Sequence, residues 1–192
     1  IDSKYNEIVL RIDEHDRCES LKIESLGDES YDLAVVSDYN KGFLTESQLR
    51  KLPDIFNCET FIDTKKIIKS WAKPFHCVKI NDLEFDRTLR WVGDVFIDHC
   101  ENLVVTQGDS GANLFHNNKC KAYPTEPVVI NDVSGAGDTF LAGLVCEYIK
   151  SKSLDKAIKF ANECARAVVQ KPNVAVVTAS ELQELTLIFP EI

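Results

Sequence analysis

The 192 residues contain no methionine, no C-x-x-C pair, no apolar run approaching the roughly 20 residues of a membrane span, and no Lys/Arg stripe interleaved with aromatics. Each absence excludes a class of protein. The seven cysteines (Cys18, Cys58, Cys77, Cys100, Cys120, Cys146, Cys164) are odd in number and scattered, whereas a disulfide framework or zinc knuckle would cluster them. They read as the reduced thiols of a cytoplasmic protein. His116 and Cys120 share a short segment, but His-Asn-Asn-Lys-Cys reads as a hairpin tip rather than a metal pair. With 22 basic against 31 acidic residues the formal charge is −9, which opposes nucleic-acid binding. An anionic substrate therefore needs a local cationic or N–H-rich site. No leader pattern opens the chain, and no membrane partner is expected. The start, "IDSKYNEIVLRID", has neither methionine nor helix cap and reads as a point within a fold, so the chain is expected to be a fragment.

The hydrophobic content of 44% suffices for one sizeable core. No repeat, low-complexity tract or Pro/Gly-rich linker divides the chain, so a single domain over 1–192 is expected. Short apolar runs alternate with helical patterns. "NEIVLRID" (Asn6 to Asp13), "YDLAVVSD" (Tyr31 to Asp38), "ETFIDTK", "HCVKIN" (His76 to Asn81) and "NLVVTQG" (Asn102 to Gly108) predict strands, the second buried on both faces. Helices are predicted in "TESQLRKLPDIF", where Thr45 and Gln48 make a capping box, and in "KIIKSWAK", "DLEFDRTLRWV" and "DVFIDHC". "ANLFHNNKCKAYP" predicts a hairpin turning at Asn117-Asn118. Two long helices follow, from Gly137 to about Ile149 and from Leu154 to about Gln170, and a last one over Ser180 to Leu187. In the second of these, Leu154, Ala157, Ile158, Ala161, Ala165 and Val168 share one face.

Buried strands alternating with helices imply parallel βαβ units, an α/β doubly wound sheet with helices on both faces. Such sheets bind ligands beyond the carboxyl ends of their strands. Those ends are Ser37-Asp38, Asp63-Thr64-Lys65, Asn81-x-x-Glu84 and Thr106-x-Gly108, and they predict one crevice.

The stretch "NDVSGAGDTFLAGLV" (Asn131 to Val145) carries the clearest chemistry. Gly135, Ala136 and Gly137 lack bulk where a loop becomes a helix, so a ligand can approach the backbone and meet the helix's first free N–H groups. With the helix dipole they make an anion hole suited to a phosphoryl group in transfer, and Asp138 is placed to take a hydroxyl proton. A Gly-containing turn with Asp as helix cap explains the same residues locally. No Gly-Lys-Ser/Thr follows, so this is not a P-loop, and Gly135-x-Gly137-x-x-Phe140 lacks the third small residue of a dinucleotide fingerprint. Taken alone, Asn81-x-x-Glu84 reads as a solvated helix cap, Thr106 to Gly111 as a strand-to-hairpin turn, and Asn162 as a residue on a helix's wet face. Lys41 and Lys65 read as surface lysines, or as the positive charge an acidic protein needs near phosphates.

Asp132-Val-Ser-Gly-Ala-Gly-Asp138, followed by Ala142-Gly143-Leu144-Val145, resembles the C-terminal signature of the PfkB (ribokinase-like) carbohydrate kinases throughout its length. In the family's order, Asn81-x-x-Glu84 resembles its magnesium and phosphate motif, Thr106-x-Gly108-x-x-Gly111 its nucleotide loop, and "FANECARAVVQK" the helix near the adenine. "NEIVLRID", "SDYNKG" (Ser37 to Gly42) and "IDTKK" (Ile62 to Lys66) are similar to segments of the heptose-phosphate kinase branch. The resemblance runs through nearly the whole chain. It implies a ribokinase-like fold and a phosphoryl transfer, dependent on ATP and Mg2+, to a sugar or sugar-phosphate hydroxyl, a heptose phosphate being favoured. Asp138 would be the general base, and the amides of Gly135, Ala136, Gly137 and Asp138 the anion hole. Asn81 and Glu84 would organise Mg2+ through water. Thr106, Gly108, Gly111, Asn162 and Lys65 would hold the nucleotide, Asp132 and Ser134 a monovalent cation, and Asp38 and Lys41 the acceptor.

The chain departs from the family in two places. "KPNVAVV" puts Asn173 and Val174 where the family has Gly-Thr-Ala beside the adenine, and the family's N-terminal portion, with its lid strands and most sugar contacts, has no counterpart. A homodimer or that N-terminal segment is the expected macromolecular partner. Two rival readings exist. "QGDSGA" (Gln107 to Ala112) matches the surroundings of the chymotrypsin-like serine nucleophile, but that fold is all-β and needs an earlier His–Asp pair. A non-catalytic ATP-binding or regulatory remnant of a kinase is favoured by the short start and opposed by the joint presence of Asp138, Asn81 and Glu84.

Overall fold

The computed structural model describes residues 18–23, 26 and 29–188, and the strand predicted over Asn6 to Asp13 lies outside them. Six strands form one sheet in sequential order: β1 (Ala34–Asp38), β2 (Thr60–Thr64), β3 (Cys77–Asn81), β4 (Asn102–Thr106), β5 (Ala112–His116) and β6 (Lys119–Tyr123). β1 to β4 run parallel, and the β5–β6 hairpin adds an antiparallel edge. Asn117 and Asn118 both take left-handed φ, as a two-residue hairpin turn with the right twist requires.

Period-two alternation sorts the strand side chains into two cores. Ile62, Val78, Ile80, Leu103 and Val105 face the layer built from α1 (Glu46–Leu49), α2 (Leu52–Phe56) and α3 (Asp82–Val92). Phe61, Cys77 and Val104 face α4 (Ala136–Ser151) and α5 (Leu154–Val169). Fully buried side chains such as Phe61, Ile62 and Phe75 contribute about 1.5–3 kcal/mol each. At the α4–α5 crossing, a Cβ on Gly143 would meet Cys164 Sγ at 3.1 Å and Ala161 Cα at 3.2 Å, so glycine sets how closely the two helices approach. A last helix, α6 (Ala179–Ile188), packs Leu185 against Phe160 and Cys164 of α5.

Four elements differ from their sequence reading. β1 is buried on one face only: Ala34, Val36 and Asp38 are covered, whereas Val35 is 48% exposed. "KIIKSWAK" forms no α-helix but a 3-10 turn, Ser70–Ala72. There the Ala72 N–H donates to the Lys69 carbonyl and the Lys73 N–H to the Ser70 carbonyl, three residues back rather than four, and Pro74 bars continuation. "DVFIDHC" is likewise 3-10, Asp94–His99, because Gly93 at φ +79° ends α3 and β4 begins soon after. "TESQLRKLPDIF" splits into α1 and α2, with the Thr45–Gln48 capping box in place and Pro53 in the first turn of α2. All seven cysteines are free thiols. Among the described residues no helix is long and apolar enough to cross a membrane.

Candidate active site

Two cavities lie beyond the carboxyl ends of the strands and meet at the start of α4, where Gly137 lines both. The first, of about 250 Å3 and largely apolar, is bounded by Thr106, Gly108, Gly111, Phe140, Asn162 and Val169. The second, of about 160 Å3, is polar: Asp63, Lys65, Lys79, Asn81, Glu84 and Asp138 line it, with Asp38 and Tyr39. The four strand ends therefore do surround one region, divided at a helix N-terminus.

Gly135 caps α4 with φ +80°, a conformation that favours glycine. The Ala136 N–H donates to the Val133 carbonyl and the Thr139 N–H to the Gly135 carbonyl. Of the four amides expected there, that of Ala136 is engaged, which leaves those of Gly135, Gly137 and Asp138 at the mouth of the helix. Lys79 adds a charge there. Buried in β3, it donates from Nζ to Asp63 Oδ2 at 2.7 Å, and a Cβ on Gly137 would lie 3.1 Å from that Nζ. The missing side chain at 137 thus makes room for an ammonium beside the helix N-terminus. Burial pushes the Asp63 carboxyl up from its ordinary value; Lys79 opposes the rise and Asp138 adds to it. Asp138 itself is exposed, and both its oxygens accept from Tyr39 Oη, at 3.1 and 3.2 Å.

Asp38 was expected among the acceptor contacts, but its buried carboxylate is already engaged. It accepts from Thr64 Oγ1 at 2.9 Å and from the Asn40 N–H at 3.0 Å, and it pairs with Lys66 Nζ at 3.2 Å. It anchors the loop that carries Tyr39. Lys41 is exposed and lines neither cavity. Lys65 lines the polar pocket rather than the apolar cavity, with Nζ 4.4 Å from the centre of the Tyr39 ring.

Asn81 and Glu84 satisfy the capping reading and still face the polar pocket. Asn81 Oδ1 accepts the Glu84 N–H and Glu84 Oε2 accepts the Asn81 N–H, each at 2.8 Å. With one carboxylate oxygen committed, and no group of three or more His, Cys, Asp or Glu able to hold a metal among the described residues, the donor set fits a hydrated Mg2+ and not a direct cage. Thr106 and Gly108 border the apolar cavity, as does Gly111, where a Cβ would fall 2.2 Å from the Tyr123 carbonyl oxygen. Glycine is therefore required at 111 by the fold as well. Asn162 is buried rather than on a wet face and donates to the Tyr123 carbonyl at 2.9 Å. Asp132 Oδ1 accepts the Ser134 N–H at 2.8 Å, and Ser134 holds that carboxyl below its ordinary value. Asn173 is left-handed, and Val174 lies against Gly135, so the departing "KPNVAVV" segment borders the same loop.

Tyr39, Lys79 and Lys66 escape a sequence reading. A signal existed for Lys79 alone: a charge inside the apolar run "CVKI" must be paired if the strand is buried.

The sequence profile of the pfkB family carbohydrate kinases matches residues 75–180. The bifunctional protein HldE of Bradyrhizobium diazoefficiens is 31% identical over 174 residues, which are 81% of this chain and 35% of that protein. Its namesake from Nitratiruptor sp. is 29% identical over 93% of this chain and 43% of its own length. This chain thus spans less than half of these relatives. Ribokinase from Thermotoga maritima superposes with a TM-score of 0.71 at 17% identity, over 87% of this chain and 60% of that one. Arabidopsis thaliana ribokinase, complexed with ribose and ATP, gives 0.67 at 16% identity over 80% and 55%. The fold is ribokinase-like.

Proposed function

The chain belongs to the pfkB family of carbohydrate kinases, and on that premise we propose that it forms the nucleotide-binding and catalytic portion of an ATP-dependent kinase. Its acceptor is a sugar or sugar-phosphate hydroxyl, a heptose phosphate first among them. The observation that carries this reading is the junction at Gly137, where an apolar cavity and a polar pocket with an exposed carboxylate meet at a helix N-terminus. The nucleoside occupies the apolar cavity beside Phe140 and Asn162, and its phosphates run past Thr106, Gly108 and Gly111 towards α4.

The γ-phosphoryl group then faces the Gly137 and Asp138 amides and the Lys79 ammonium, which balance the charge spreading over its oxygens. Asp138 accepts the proton of the acceptor hydroxyl as that oxygen bonds to phosphorus and the bond to the β-phosphate oxygen breaks, leaving ADP and the phosphorylated sugar. Asn81 and Glu84 would hold Mg2+ through water, and the ion would supply charge neutralisation on the phosphates. The Asp132–Ser134 turn would hold a monovalent cation, whose charge would brace the loop before α4. Preference for an anionic acceptor rests on Lys65 in the polar pocket and on the likeness of "SDYNKG" and "IDTKK" to the heptose-phosphate branch.

The test is ADP release from the intact protein carrying this chain, over a panel of sugar phosphates. Asp138→Asn is expected to cut turnover by about 10²–10⁴-fold with ATP affinity largely kept. Wild-type turnover in that variant would overturn the base assignment. ATP binding without ADP release on any acceptor would favour the regulatory reading.

A further inference from the structure

We propose that Tyr39 is a removable cap on Asp138, latched by Lys65 and released when an anionic acceptor draws Lys65 away. This rests on Asp138 being the base of a kinase, and it narrows the acceptor to molecules that carry a charge near the reacting hydroxyl. Tyr39 Oη straddles the Asp138 carboxylate, 3.1 Å from one oxygen and 3.2 Å from the other. A hydroxyl that is to give its proton to Asp138 needs that same position, so acceptor and phenol exclude one another. The residues on either side of Tyr39 are held. Asp38 is buried among Thr64, Lys66 and the Asn40 N–H, and Asn40 is left-handed with its Oδ1 accepting from Lys66 Nζ at 2.7 Å. The Tyr39 side chain, 47% exposed, is the part free to move.

Two contacts hold the ring in place, the bond of its hydroxyl to Asp138, which the acceptor hydroxyl can take over, and the Lys65 ammonium, 4.4 Å from the ring centre. A phosphate or carboxylate entering the pocket offers this ammonium a charge-assisted hydrogen bond, which is stronger than its contact with the ring face. Lys65 turns to the anion, the ring loses its latch, and the base is uncovered with the acceptor already bound. Without an acceptor the phenol occupies the position from which a water would give its proton to Asp138, so ATP is not hydrolysed uselessly. The phenol does not replace the acceptor, because burial and the bond to Asp138 hold its proton above the ordinary tyrosine value and keep it a donor.

Tyr39→Phe removes the hydroxyl alone. In the intact protein it is expected to raise the ratio of acceptor-free to acceptor-dependent ADP release about tenfold. An independent readout needs no turnover: 3-fluorotyrosine at position 39, followed by fluorine NMR. Its resonance should shift on adding a heptose 7-phosphate, not on adding the unphosphorylated heptose, and Asp138→Asn should shift it in the free protein. Lys65→Gln should abolish the distinction between the two sugars. An unchanged ratio in Tyr39→Phe, in a protein active as wild type, overturns the cap and leaves the kinase reading standing. A wild-type protein without acceptor-dependent ADP release overturns the kinase reading. A resonance indifferent to Asp138→Asn overturns the cap in either case, and a phosphate-specific shift that survives Lys65→Gln overturns the latch.

Discussion

A lysine that is 4% exposed has to be compensated, and Lys79 is compensated by the Asp63 carboxylate at 2.7 Å. Removing one partner of such a pair costs about 3–5 kcal/mol when the other stays charged. Asp63, with its side chain 17% exposed, has an escape: its carboxyl already sits above the ordinary value and takes up a proton more readily once Lys79 is gone. A carboxyl whose folded value is raised stabilises the fold fully below its unfolded value and loses that contribution as pH rises through the folded value. Lys79→Met is therefore expected to melt near wild type at low pH and to fall progressively below it as pH rises, a gap that urea titrations at several pH values would read. The same variant should lower phosphoryl transfer by about 10²-fold through the lost charge at the mouth of α4. Asp63→Asn combined with Lys79→Met should restore the stability and not the rate.

Among the elements, α6 depends most clearly on pH. Glu181 Oε2 accepts from Lys171 Nζ at 2.6 Å and from the Thr178 N–H and hydroxyl at 2.7 Å each, and the Glu181 N–H returns to Thr178 Oγ1. Lys171 first, then Thr178, pulls the carboxyl from 4.5 down to about 2. A lowered carboxyl stabilises above its unfolded value and loses that contribution as pH falls through the folded one. Hydrogen exchange of α6 in Glu181→Gln should therefore be faster than wild type at neutral pH, and the difference should close as pH falls from about 4.5 towards about 2. Because the contact is half-buried rather than enclosed, added salt should narrow it too. The α4 mouth shows the opposite economy: Gly135 and Gly137 act by having no side chain, one for its φ of +80°, the other for the ammonium beside it.

At the scale of the molecule, a chain of net charge −9 that is proposed to take anionic substrates has to concentrate its positive groups in one place. Lys79, Lys65 and a helix N-terminus gather at the carboxyl edge of the parallel strands, against the field of the remaining surface. Occupation of this edge joins α4 and α5 to β3 and β4. MgATP at about 100 times its Kd should contribute about 2.7 kcal/mol, a rise in Tm of about 5–10 °C for a chain of this size. Chelating Mg2+ should shrink that rise, and Asp138→Asn should keep it. No rise in a thermal melt with MgATP would remove the nucleotide from the apolar cavity.

The parallel α/β class, the β5–β6 hairpin and the helix starting beside Asp138 are legible in the sequence, since each depends on short-range information. Apolar period, a pair of asparagines that tolerate positive φ, and residues without bulk before a helix all act within a few positions. Boundaries of α4 and α5 fall within two residues of their reading for the same reason. Tertiary packing decided the rest. "KIIKSWAK" has helical spacing, yet Ile68, Trp71 and Ala72 reach the core from a 3-10 turn instead. β1 reads as covered on both faces, while burial depends on which layers reach the sheet edge. Tyr39 meets Asp138 across 99 residues, and Lys79 reaches the mouth of α4 because β3 and α4 are neighbours in space. Contacts between residues so far apart leave no periodicity or spacing in the sequence. The physical reason is that they arise only when the sheet brings its carboxyl ends together.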